Sequence, residues 1–67
     1  MITPKDLRQG SIIEVRGDFG QGPQVLAQVD FVDRDVRTGA PIVDYTNVDN
    51  RETHWAFFDQ IDSVLRF

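Results

Sequence analysis

The chain has 67 residues, no cysteine, one histidine and a net charge of −4. A chain this short holds one domain, with no disulfide staple and no multi-histidine metal centre. Its longest apolar run, Trp55–Phe58, is far too short to span a membrane, and no basic-then-apolar leader is read at its start, so a cytoplasmic protein is expected.

Seven Lys+Arg stand against eleven Asp+Glu. That balance disfavours nucleic acid as a partner, because phosphate neutralisation supplies most of such affinity. Eight Val and five Ile outnumber three Leu and three Ala, a composition that fits strands. Nine of the eleven acids are aspartate, which suits turns and strand ends better than helix interiors.

Taken in chain order, Pro4–Gln9 reads as one helical turn. Thr3 caps it, Pro4 takes the first helical position, and Asp6 stands three residues after the cap. Ile2 and Leu7 fall on the staple positions around that cap, and Gly10 ends the turn. Ser11–Arg16 is the first strand, with Ile13 and Val15 on one face. Gly17–Pro23, with three glycines and a proline, is a loop.

Gln24–Asp33 carries the clearest period-two pattern. Val25, Ala27, Val29 and Phe31 are all apolar, while the alternate positions are mixed, as in a half-buried strand. Asp33–Gly39 is a polar turn with Gly39 at positive φ. Ala40–Tyr45 is a third strand, and Pro41 near its start suits an edge. Thr46–Asn50 is a turn, and Arg51–Phe57 a fourth strand. With odd positions inward throughout, the core holds Ile13, Val15, Val25, Ala27, Val29, Phe31, Val43, Tyr45, Trp55 and Phe57. The C-terminal stretch has two readings. Phe57, Phe58, Ile61, Val64 and Leu65 fit a helical stripe. A tight turn at Phe58–Ile61 followed by a strand, Ser63–Phe67, fits as well, and a fifth strand would cover an open edge. The second reading is favoured.

Leu7, Gly10, Ile13 and Val15 form a Leu-x-x-Gly-x-x-Ile-x-Val opening, and Trp55, Asp59, Ile61 and Val64 form a Trp-x-x-x-Asp-x-Ile-x-x-Val close. With the glycine-rich loop and the long alternating strand between them, this order resembles a Src-homology-3-like small barrel, the group that includes Tudor, chromo-barrel and KOW-type modules. The resemblance implies an all-β, five-stranded small barrel with a short helical turn before the last strand. Fold alone carries no function.

Candidate chemistry is sparse. His54 shares a strand face with Glu52, an arrangement that can serve general-base work, and a small hydrolase using His54 is the least favoured reading. Asp30, Asp33, Asp35 and Gly39 resemble fragments of a calcium loop, but Arg34 and Arg37 interleave and no glutamate closes it. No cofactor and no metal are expected. Phe19 is the unusual aromatic, placed in a glycine-rich loop. Tudor-like barrels bind methylated lysine or arginine through aromatic cages, and the resemblance implies that Phe19, Tyr45 and Trp55 could form such a wall. The alternative is that Phe19 folds back as a lid on its own core. Ile12, Leu26, Val32, Ile42 and Phe58, apolar at even positions, serve either core or partner contact, and a homodimer is the economical form of the latter.

The expectation is therefore a non-catalytic module that binds a protein partner through the Gly17–Pro23 loop and adjacent aromatics, or through a sheet edge. The partner-binding residues are Phe19, Tyr45, Trp55 and Phe58. An acidic protein that associates with nucleic acid or imitates DNA is the alternative.

Overall fold

A computed structural model describes residues 2–67. Five strands form one antiparallel sheet: β1 (Ile12–Arg16), β2 (Gln24–Arg34), β3 (Pro41–Asn47), β4 (Thr53–Phe57) and β5 (Ile61–Arg66). Their order is β4-β3-β2-β1-β5, so β4 and β5 are the outer strands. The rest is short turns, among them 3-10 turns at Pro4–Asp6 and Phe58–Gln60. The chain is all-β, as its β-branched composition predicts, and among the described residues no helix is long and apolar enough to cross a membrane.

The N-terminal turn is shorter than expected, Pro4–Asp6, and the Thr3 side chain makes no cap bond to its backbone. The Asp6 carboxylate accepts the Thr3 backbone N–H at 2.8 Å and the Thr3 hydroxyl at 3.3 Å, satisfying groups that a helix start leaves open. Leu7 is buried and Ile2 packs against the same core.

One face of the sheet supplies the core. Ile13 and Val15 from β1, Ala27 and Val29 from β2, Val43 and Tyr45 from β3, Ala56 from β4 and Ile61 from β5 join Leu7 and Phe58 in one cluster.

The strict odd-inward rule fails at two strands. On β2, the pairing with β3 shifts between Val29 and Phe31. This is a β-bulge, which inserts one extra residue and reverses the alternation beyond it. Asp30 and Phe31 therefore both leave the core side. Val32 returns to pack against the core, and Phe31 is 53% exposed. On β4, the register pairs Val43 with Ala56 and Asp44 with Trp55. Residues directly opposite share a face, so Ala56 goes inward with Val43 while Trp55 and Phe57 go outward.

The C-terminal stretch is turn plus strand, with a device the sequence pattern disguised. Strand β5 pairs with β1 as Arg66, Val64, Ser63 and Ile61 against Ile12, Ile13, Glu14 and Val15, with two register shifts. The skipped residues are Leu65 and Asp62. The second skip lets Ile61 and Val64, three apart, both face the core, a spacing that otherwise looks helical.

Candidate functional site

The loop after β1 has an unusual backbone. Asp18, Phe19 and Gly20 follow one another at φ of 52°, 55° and 91°. Glycine takes such angles freely, whereas phenylalanine there costs about 1–2 kcal/mol. The turn is held by the Gly17 carbonyl, which accepts the N–H of both Gly20 and Gly22 at 3.0 Å. Gly22 packs closely enough that an added Cβ would stand 3.1 Å from the Gly17 oxygen. The loop is thus pinned at its base while Phe19 stands out, 71% exposed.

Phe19 is not alone. Its ring meets Trp55 edge-on, with centroids 6.2 Å apart, and lies tilted against Phe57 at 6.4 Å. Trp55 and Phe57 are T-shaped at 5.2 Å. These separations and angles suit the quadrupoles of aromatic rings. The three rings form one surface cluster built from the loop and from the outward side of β4.

Of the four residues expected to bind a partner, the structure brings Phe19 and Trp55 together. Tyr45 lies apart from Phe19: it points to the core side of β3, 3% exposed, and its ring faces His54 at 5.9 Å. Burial raises the pKa of its phenol. It reaches a shallow cleft of about 220 Å³ that Trp55 also lines, with Gly17, Pro23 and His54; Phe19 does not line it, so the three rings form no common wall there. Phe58 is a correction. It lies in the 3-10 turn, 8% exposed, within the core cluster. Phe57 is still extended, so the alternation of β4 carries on one residue past its end and the two adjacent aromatics face opposite ways. Phe31, Trp55 and Phe57 are the aromatics expected inside that the fold turns outward.

Other candidates have local partners. His54 Nε2 lies 3.4 Å from Glu52 Oε1, both half-exposed. The Ser11 hydroxyl donates to the Phe67 oxygen at 2.9 Å and the Ser63 hydroxyl to Glu14 at 2.6 Å, so neither serine is bonded to that imidazole. Asp35 accepts the Arg37 N–H and the Thr38 hydroxyl at 3.1 and 3.0 Å, which is turn chemistry. Among the described residues, no group of three or more His, Asp or Glu side chains is placed to hold a metal ion.

Gln60 went unremarked in the sequence, yet it ties the site's base. Only 6% exposed, its amide oxygen accepts the Phe57 N–H at 2.9 Å and its amide nitrogen donates to the Arg16 carbonyl at 2.8 Å. The residue just before the aromatic loop's first glycine is thereby fastened to the end of β4. A glutamine three residues after a strand end is the only signal the sequence offers for this clamp.

Comparison with known protein families, with curated proteins and with solved structures finds no match to this chain.

Proposed function

We propose that the protein is a non-catalytic interaction module that docks a protein partner on the surface formed by Phe19, Trp55 and Phe57. The observation that carries this reading is the conformation of Phe19. A bulky side chain sits at left-handed φ in a loop fastened by Gly17, and its ring is 71% exposed. Packing within the chain is a weak reason to hold a phenylalanine there. Backbone strain of this kind concentrates at ligand-contacting positions, and exposed aromatics held rigidly serve as interface anchors. The paired His54–Glu52 side chains and the serines bonded elsewhere support a binding role over hydrolysis.

Selection of a displayed peptide library against the folded protein tests the reading. Ligands are expected whose binding falls at least tenfold in Phe19→Ala and in Trp55→Ala, with both variants still melting cooperatively. Ligands insensitive to both substitutions, or none, would refute it.

A further inference from the structure

The outward face of β2, β3 and β4 is laid out in rows by the register. Phe31 pairs with Asp44, which pairs with Trp55, so one row reads aromatic, carboxylate, aromatic. The next row reads Asp33, Ile42, Phe57. On the other side Asp30 accepts the Thr46 hydroxyl at 2.8 Å. The bulge on β2 creates this face, because it turns Asp30 and Phe31 outward together. Asp44 and Trp55 line two adjoining concavities. One, of about 410 Å³, is lined also by Asp30 and Phe31, and the other, of about 280 Å³, by Asp33, Arg34, Asp35 and Ile42.

Among the described residues, Asp30, Asp33 and Asp44 are paired with no cation, although Arg34 lines the smaller concavity beside them. The ion pair between described residues is Arg16–Asp62, and His54 Nε2 lies 3.4 Å from Glu52 Oε1. Arg34, at the end of β2, donates to the Gly39 carbonyl at 2.9 Å instead. His54 also lines the larger concavity, beside Glu52. Partial burial, then the fields of Asp33 and Asp30, raise the pKa of Asp44, the mark of a carboxylate lacking compensating charge.

We infer that this face docks a basic, arginine-bearing segment of a protein partner, with a guanidinium seated against Asp44 between Phe31 and Trp55. The inference rests on the docking role assigned to the neighbouring aromatic cluster and names its partner chemistry. Charge complementarity selects the occupant. A second copy docked face to face about a twofold axis would set one group of aspartates close to another, and like charges so placed are repulsive. Arginine fits better than lysine, because its planar guanidinium stacks on an aromatic ring while it bonds a carboxylate with paired N–H groups.

The composition of the selected peptides and the variant Asp44→Asn test this separately from the docking role. Ligands enriched in arginine are expected, weakened about tenfold by Asp44→Asn, by Trp55→Ala and by arginine-to-lysine exchange in the peptide, and unchanged by Asp49→Asn in the β3–β4 turn. Ligands lacking basic residues, sensitive to Trp55→Ala but indifferent to Asp44→Asn, would overturn the inference and leave the docking role standing. A concentration-dependent dimer, seen by sedimentation and abolished by Trp55→Ala, would also overturn it. Ligands indifferent to Phe19→Ala and Trp55→Ala would overturn both. Thermal melts of Asp44→Asn show that any loss of binding is not a loss of fold.

Discussion

Replacing Phe19 with alanine separates recognition from packing. The ring is 71% exposed, so about three tenths of a surface of ~200 Å² is covered, worth ~1.5 kcal/mol at about 25 cal/mol per Å². Alanine retains its Cβ and keeps the strain of left-handed φ, so the expected loss is about 1–2 kcal/mol. For a domain of this size each kcal/mol lowers Tm by about 4–8 °C, which a calorimetric or circular-dichroism melt resolves readily. A phenylalanine acting as a core lid would instead lose about 3–5 kcal/mol. Phe19→Gly supplies an internal check. It removes the same ring and also relieves about 1–2 kcal/mol of backbone strain, offset in part by glycine's freedom in the unfolded chain. It should therefore melt no lower than Phe19→Ala. A loss above about 3 kcal/mol in Phe19→Ala, or a glycine variant clearly less stable than the alanine one, would show that the ring is held for packing and that the loop strain has been misread.

Val29, 1% exposed in the middle of β2, should not tolerate aspartate: an unpaired buried carboxylate costs several kcal/mol, about the whole stability of so small a domain, and a wild-type-like melt would refute the face assignment. Gln60→Ala leaves the Phe57 N–H and the Arg16 carbonyl without their partner, with an expected loss of about 2–3 kcal/mol in urea unfolding; a loss below about 0.5 kcal/mol would show that the clamp is not structural. The Asp62 carboxyl is held below the usual carboxylate range by hydrogen bonds from Arg16 and then Gln24, each 2.7 Å. A lowered folded pKa adds stability above the unfolded value and loses it as pH falls through the folded one, so Asp62→Asn should be slightly less stable than wild type at pH 7 and equal to it in acid, as melts across that range would show. Asp44 has the opposite sign: its raised pKa makes the ionised form unfavourable in the fold, so Asp44→Asn should be the more stable protein at pH 7, with the advantage vanishing as pH falls below the ordinary aspartate value of 3.8.

Much of the secondary structure was legible along the chain. β-branched residues at period two mark β1, β2 and β3, the Thr3–Asp6 spacing marks the N-terminal turn, and the glycine-rich stretch marks the loop, because each depends on local sterics and hydrogen bonding. Phe19 stood out for the same reason, as a large aromatic among glycines. What tertiary structure alone decided is the direction in which the other aromatics face. A bulge depends on how a partner strand pairs, so no pattern within β2 says that Val29 and Val32 both turn inward while Asp30 and Phe31 turn out. No pattern within β4 says that Val43 faces Ala56 rather than Trp55, since a shift of one residue in register moves every side chain to the opposite side of the sheet. Phe58 went inward and Phe57 outward because the register that turns Ala56 in carries its alternation past the end of β4. Residue types determined that there would be strands, turns and a conspicuous loop aromatic. Strand pairing determined which aromatics were left on the surface, and that surface is the candidate site.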